Sequence, residues 1–105
     1  MNASRGTPVC LADVVIRALR GKWAMQILLA IDGQKEEQPH FNYLKRAVTG
    51  ISPKVLTEQL HYLLSAGVIC RIPSEQARQE VFYAYTEQGR ELRALLDSLN
   101  EMGQR

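Results

Sequence analysis

The feature that most constrains the fold is a helix start at Ser52-Pro53, placed directly after a turn at Thr49-Gly50-Ile51. Serine is a favoured N-cap, and proline is favoured in the first helical turn, where its missing N–H leaves no hydrogen bond unmade. The apolar spacing carries the helix to about Ser65, and Ala66-Gly67 marks its end. The segment therefore predicts a well-bounded helix that is entered through a short glycine-containing turn.

The residues of this helix separate into an apolar and a polar face when they are placed at about 100° per residue. Leu56, Leu60 and Leu63 fall on one side, and we expect them to be buried. The polar face of an amphipathic helix is most often simply exposed to solvent. Evidence that this face binds a partner must therefore come from the neighbouring elements. That polar face carries Lys54, Thr57, Glu58, His61 and Ser65.

The periodicity of apolar residues predicts the other elements. The expected order is helix, helix, helix, helix, strand, loop, strand, helix. Two helices joined by a glycine-containing turn and followed by a β-hairpin are typical of a winged helix-turn-helix, so the predicted fold class is mainly α with a small β-hairpin (α+β). The predicted helices cover residues 10–19, 23–33, 41–48, 52–65 and 92–102, and the predicted strands cover 68–72 and 81–86.

The length of 105 residues is enough for one domain with one core. We expect residues 1–9, which are polar and small, to be a flexible N-terminus, and residues 10–105 to form the domain. The sequence has no apolar run close to the roughly 18 residues of a membrane span, and its start lacks the order of a secretion signal. Cys10 and Cys70 are too few for a disulfide framework, so a cytoplasmic location is expected.

The sequence gives no indication of an enzyme. It shows no nucleophile–base pair, no glycine-rich phosphate loop and no metal-binding cluster, and neither His40 nor His61 has a partner at the spacing that zinc requires. We therefore expect no catalysis, no metal and no cofactor. The formal net charge of +2 does not identify a nucleic-acid binder by itself. Evidence for nucleic-acid binding must therefore come from where the cations lie.

The polar face of the fourth helix suits double-stranded DNA. In a helix-turn-helix, the second helix lies in the major groove with its N-terminal residues nearest the bases. Lys54 can reach a guanine edge or a phosphate, Thr57 offers a hydroxyl and a methyl group, and His61 can donate a hydrogen bond. The candidate DNA-binding residues on this helix are Ser52, Pro53, Lys54, Thr57, Glu58 and His61, and the supporting cations are Lys22, Lys45, Arg46 and, at the hairpin tip, Arg78.

The leucines of the last helix allow two interpretations. They either pack on their own domain or form half of a two-fold symmetric dimer seam. The seam is favoured because a chain this short has few other surfaces to cover its two terminal helices. The expected dimer-interface residues are Leu11, Val14, Val15, Leu92, Leu95, Leu96 and Leu99.

The residues also match a known family over roughly positions 10–99. The run over residues 50–60 is the most specific part of the match. On these residues the chain resembles the HxlR-type winged-helix regulators of bacteria. The matching positions are Cys10, Gly21-Lys22-Trp23, Phe41, Leu44, the run 50–60, Gly67-Val68-Ile69, Val81, Tyr83, Thr86 and Gly89.

The resemblance implies a transcriptional regulator that acts as a homodimer. The first and last helices would form the interface, and the two copies would read two half-sites, with each hairpin touching the flanking backbone or minor groove. His40 stands where the family usually has a DNA-contacting arginine, so it joins the candidate DNA-binding residues. Both repressors and activators occur in the family that this chain resembles, and the resemblance specifies no small-molecule effector.

Two other functions stay open at this point. A winged helix can lose DNA binding and keep its partner contacts, and Glu58, His40 and the modest net charge favour such a protein-interaction module. Cys10 lies near a helix start, where the helix dipole favours a thiolate, so it is a possible redox sensor. The alternative for Cys10 is a small, partly buried residue near the dimer interface.

Overall fold

The computed structural model describes residues 11–20, 23–33, 39–74 and 81–103. The predicted order of elements and the mainly helical fold class with one hairpin are confirmed, and the bounds agree to within one residue except at the last helix, which begins earlier. The elements of the described chain are α1 (Leu11–Arg20), α2 (Ala24–Gly33), α3 (Phe41–Ala47), α4 (Pro53–Ser65), β1 (Ile69–Pro73), β2 (Val81–Tyr85) and α5 (Glu87–Gly103).

The start of α4 has the predicted geometry. Ser52 is the N-cap in an extended conformation, and its Oγ accepts a hydrogen bond from the backbone N–H of Val55 at 3.1 Å. Pro53 occupies the first helical position, where no N–H is needed. Gly50, in the turn between α3 and α4, has a φ of +88°, which favours glycine over any residue with a side chain. These local preferences fix where α4 begins relative to α3.

A glycine also fixes the end of α4. Gly67 has a φ of +77°, and its N–H donates to the carbonyl of Leu64 at 3.0 Å. The N–H of Val68 donates to the carbonyl of Leu63 at 3.3 Å, which completes a Schellman motif. The chain leaves the helix in a defined direction and enters β1.

One apolar cluster joins all the elements of the described chain. Tyr83 is buried in this cluster, whereas Trp23 and Phe41 pack against it and are partly buried. The cluster contains Val14 and Ala18 from α1, Ile27, Leu28 and Ile31 from α2, Leu44 and Val48 from α3 and its C-cap, Leu56, Leu60 and Leu63 from α4, Val68 just before β1, Ile69 in β1, and Leu92 and Leu96 from α5.

The hairpin is extended by a third short segment. β1 and β2 are antiparallel, with Ile69 opposite Tyr85 and Pro73 opposite Val81. The N–H of Tyr83 donates to the carbonyl of Pro39 at 3.1 Å, next to a single β-bridge between His40 and Phe82. The entrance to α3 is thereby attached to the hairpin.

The start of α5 is seated closely on the end of α4. Thr86 accepts a hydrogen bond from the N–H of Gly89 at 3.0 Å and donates from its hydroxyl to the carbonyl of Gly67 at 2.6 Å. Its backbone N–H donates to the carbonyl of Val68 at 3.1 Å. A Cβ atom at Gly89 would lie 1.9 Å from that same carbonyl oxygen, so the approach requires glycine.

Candidate nucleic-acid interface

The outward face of α4 is exposed as predicted. The side chains of Leu56 and Leu63 are fully buried and Leu60 is 2% exposed, so this side of the helix is held by the core. The polar residues on the other side are all open to solvent, and the structure thus brings the predicted set together on one surface. That surface consists of Lys54, Thr57, Glu58 and His61, and we call it the α4 face.

The N-terminus of α4 adds a favourable electrostatic element to the α4 face. Ser52 and Pro53 are exposed at the point where the helix begins. The helix dipole places a partial positive charge there, and anions such as phosphate are stabilised near such a terminus. The α4 face and the helix start can therefore meet base edges and backbone phosphates together.

The last turn of α3 places two cations beside the turn that leads into α4. Lys45 and Arg46 both lie there, and both are exposed. In a helix-turn-helix the first helix crosses the DNA backbone, so cations at this position suit phosphate contacts. Their contact with DNA stays a prediction.

His40 lies beside β2, near the strand end that follows the hairpin loop, where it forms a β-bridge with Phe82. It is the N-cap residue of α3, and its ring packs against the ring of Phe82, with centroids 6.5 Å apart at an angle of 70°. Its Nε2 atom is buried, so a contact with DNA would have to use the other atoms of the ring. A structural role at the hairpin therefore stands beside the predicted DNA contact.

The hairpin carries a cation that the sequence reasoning missed. Arg71 is exposed on β1, opposite Tyr83 in the register. Burial raises the pKa of the Tyr83 hydroxyl, and the charge of Arg71 opposes that rise. A charged residue in the middle of an apolar strand was the available signal for this position. Two of the predicted cations, Lys22 and Arg78, lie outside the described residues.

The predicted dimer-interface set divides into two groups. Leu95 is 48% exposed and Leu99 is 36% exposed, whereas Leu11 and Val15 are half-buried. The remaining three residues belong to the core of their own chain, and their contact with a second copy stays a prediction. They lie on the neighbouring helical rows that face inward, and they are Val14 at 0%, Leu92 at 6% and Leu96 at 1% exposure.

Two large apolar residues outside the predicted set are also exposed on these helices. Met102 is 61% exposed and continues the row of Leu95 and Leu99 along α5, at positions separated by four and three residues. Ile16 on α1 is 53% exposed. The sequence signal for Met102 was the second apolar row of α5, which lies next to the row that packs inward.

A groove lies between α1 and α5. Its volume is about 250 Å³, and its lining is mostly aliphatic. Because it opens next to the exposed row of α5, an apolar side chain from another molecule can fill it. The lining residues are Leu11, Val15, Leu92 and Leu95, with Gln88 and Glu91 at the polar edge.

Of the two cysteines, the structure describes Cys70. Cys10, the possible redox sensor, lies outside the described residues, whereas Cys70 is a half-buried free thiol in β1. Among the described residues, no cluster of histidine, cysteine and carboxylate side chains could hold a metal ion. The described helices include none long and apolar enough to cross a bilayer.

Known proteins are similar to this chain in both sequence and fold. The HTH-type transcriptional regulator YtcD of Bacillus subtilis (strain 168) is 35% identical over 91 residues, which cover 87% of this chain and 70% of YtcD. A crystal structure of the HTH-type transcriptional regulator ytcD superposes with a TM-score of 0.69 at 34% identity and covers 90% of this chain and 94% of that chain. The redox regulator HypR in its reduced form superposes with a TM-score of 0.66 at 29% identity, covering 90% and 91% of the two chains.

A family model agrees with these pairwise similarities. The model of the HxlR-like helix-turn-helix matches residues 18–105, which include α4, the hairpin and α5. The predicted resemblance is confirmed by a match over most of the chain. The chain therefore belongs to the HxlR-like helix-turn-helix family.

Proposed function

We propose that this protein is a DNA-binding transcriptional regulator that acts as a homodimer in the cytoplasm, with α4 as its recognition helix. The observation that carries the proposal is the α4 face, in which a firmly packed helix presents Lys54, Thr57 and His61 to solvent. The family match and the similarity to HTH-type transcriptional regulators support it.

The chemistry of the α4 face suits base edges in the major groove. A lysine is a donor for guanine O6 or N7, a threonine methyl packs against the thymine methyl, and a carboxylate such as that of Glu58 accepts from the cytosine amino group. Phosphate contacts from Lys45, Arg46 and Arg71 would position the domain without reading sequence. In this arrangement α4 would read the bases, and α3 and the hairpin would position the domain on the DNA backbone.

The surface of α1 and α5 suits a second copy of the chain. Leu95, Leu99 and Met102 form an exposed apolar row beside the groove between the two helices. In a two-fold interface, the row of each copy would fill the groove of the other, because the same patch serves both subunits. Burial of this row removes an apolar surface that a monomer would otherwise expose.

A DNA titration tests the proposed function. Duplex DNA from the region upstream of the protein's own gene is titrated at several salt concentrations, and the logarithm of the binding constant should fall linearly with the logarithm of salt as counterions return to the DNA. Lys54→Ala or Thr57→Ala should weaken binding by about 1–3 kcal/mol if the residue reads a base. Arg90→Ala and Ser98→Ala on α5 remove a charge and a hydroxyl elsewhere and should leave base discrimination unchanged.

The same titration distinguishes a DNA-binding regulator from the alternative, a protein-interaction module. A module that had lost DNA binding would show no duplex binding at any salt concentration. Binding that is unaffected by both Lys54→Ala and Thr57→Ala would reject α4 as the reader, even if the protein binds DNA through another surface.

A second candidate function is redox control of DNA binding through Cys10. The similarity to HypR favours it, because structures of that redox regulator in its reduced and oxidised forms superpose with TM-scores of 0.66 and 0.65. Mass spectrometry after mild oxidation should find Cys10 modified, and the modified protein should bind DNA differently, with half-buried Cys70 as the internal comparison. Unchanged DNA affinity despite modification of Cys10 would end this proposal.

A further inference from the structure

Three side chains join α4 to α1, and we call them the Tyr62 bridge. The hydroxyl of Tyr62 donates a hydrogen bond to Oδ2 of Asp13 in the first turn of α1. Arg17, one turn further along α1, donates from Nε to the same oxygen at 3.3 Å, and its guanidinium carbon lies 4.0 Å from the centre of the Tyr62 ring. Each member of the Tyr62 bridge therefore contacts the other two.

The Tyr62 bridge supplies a directional contact between two helices that also share an apolar core. Apolar side chains pack helices at preferred crossing angles, but these angles scatter by about 15–20°, so packing alone sets the angle only loosely. A hydrogen bond to a carboxylate is stronger than a neutral one and depends on its angle, and the guanidinium above the ring adds a cation–π contact. Donation from Tyr62 lowers the pKa of Asp13, with Arg17 adding to the effect, which keeps the carboxylate charged in the folded chain.

The bridge lies in the C-terminal half of α4, whereas Lys54 and Thr57, which would read bases, lie in its first two turns. Lys54 is about 12 Å from Tyr62 along the helix axis at the rise of about 1.5 Å per residue, so a tilt of about 10° at the bridge would move Lys54 by about 2 Å. In a symmetric dimer both recognition helices move, and their separation changes by about 4 Å, close to the rise of about 3.4 Å between successive base pairs. The angle between α1 and α4 therefore decides which half-site spacing fits.

We propose that the Tyr62 bridge is a positioning element that sets the half-site spacing accepted by the homodimer. The proposal rests on the proposed function, in which α1 lies at the dimer interface and α4 reads DNA. Tyr62, Asp13 and Arg17 are positioning residues: they touch no base and act by orienting the helix that does.

The test compares binding to duplexes that differ in half-site spacing alone. Wild-type protein first selects sites from a random duplex library, and the selected site is then made with one base pair added or removed between its half-sites. The wild type should lose about tenfold in affinity on the altered spacings, the equivalent of about 1.4 kcal/mol, whereas Tyr62→Phe should lose less than about threefold. The phenylalanine keeps the ring beneath Arg17 and removes the hydroxyl.

Tyr85→Phe is the matched control. The Tyr85 hydroxyl donates to the carbonyl of Leu28 at 2.5 Å and accepts from Arg93 at 3.4 Å, so this variant also loses a partly buried hydrogen bond. It should lower the melting temperature and keep the wild-type preference for spacing. A merely structural role of Tyr62 would give the same pattern as Tyr85→Phe.

A second variant keeps the test decisive if Tyr62→Phe does not fold. Asp13→Ala should relax the spacing preference in the same way, and combining it with Tyr62→Phe should add little, because both remove the hydrogen bond between Tyr62 and Asp13. Wild-type discrimination in either folded variant would overturn the positioning role. Selection of single half-sites, or of no common sequence, by the wild type itself would instead overturn the proposed function, and this inference with it.

Discussion

Replacing Gly89 with alanine tests how α5 is seated on the end of α4. The added Cβ would lie 1.9 Å from the carbonyl oxygen of Val68, 2.9 Å from its carbon and 3.1 Å from Cδ1 of Tyr85. A carbon–oxygen contact needs about 3.3 Å, so the helix start or the carbonyl has to move by more than about 1 Å. The first two contacts are with backbone atoms, so a side-chain rotation cannot relieve them.

The expected magnitude follows from three contributions. Overpacking costs about 1–3 kcal/mol, and the displacement also strains the hydrogen bonds of Thr86 to Val68 and Gly89, each contributing about 1 kcal/mol. Alanine returns up to about 1 kcal/mol through its higher helix propensity. We therefore expect Gly89→Ala to lower the free energy of unfolding by about 2–4 kcal/mol, a large part of the roughly 5–15 kcal/mol typical of a domain.

The assay is equilibrium unfolding in denaturant at one fixed protein concentration, because the stability of the proposed homodimer would depend on concentration. Gly103→Ala is the matched control, since Gly103 ends the same helix and a Cβ there meets no atom within 4 Å. The control should be neutral or slightly stabilising. If Gly89→Ala is as stable as the wild type or more stable, the close approach of α5 to Val68 is refuted.

Three further predictions test the cap of α4, the Tyr62 bridge and the dimer surface. Ser52→Ala should lower the free energy of unfolding by about 1 kcal/mol, because the bond to Val55 is lost; an unchanged denaturation midpoint would contradict the cap. The pKa of Asp13 is lowered from 3.8 by the bond from Tyr62, so its stabilising contribution is complete above pH 3.8 and is lost as the pH falls through the lowered value. The stability difference between wild type and Asp13→Asn should therefore shrink over that acidic range, and a difference that stays constant would argue against the bond. Leu95→Glu should yield monomers in analytical ultracentrifugation while the far-ultraviolet spectrum stays that of the wild type; an unchanged mass would exclude this surface.

Local signals made α4 predictable from the sequence. Ser52, Pro53 and Gly67 act through the conformations of their own backbone and of their immediate neighbours, so the helix bounds need no knowledge of the rest of the chain. The same applies to the exposure of Lys54 and Thr57, because the leucines on the opposite side fix the orientation of the helix.

The remaining features depend on contacts between distant segments. The periodicity of α5 identifies a broad apolar sector but does not say that Leu96 packs inward while Leu95 stays exposed. The bond from Tyr62 to Asp13 joins residues 49 positions apart, and the position of His40 depends on β2. Each of these follows from the packing of complete elements, which short-range patterns do not encode.

The crystal structure of the protein bound to its selected duplex is the most direct measurement of the central claim. We expect α4 to lie in the major groove, with Lys54 and Thr57 in contact with base edges and the exposed row of α5 buried against a second copy. A complex in which the α4 face is covered by protein, or points away from the DNA, would contradict the assignment of α4 as the reader.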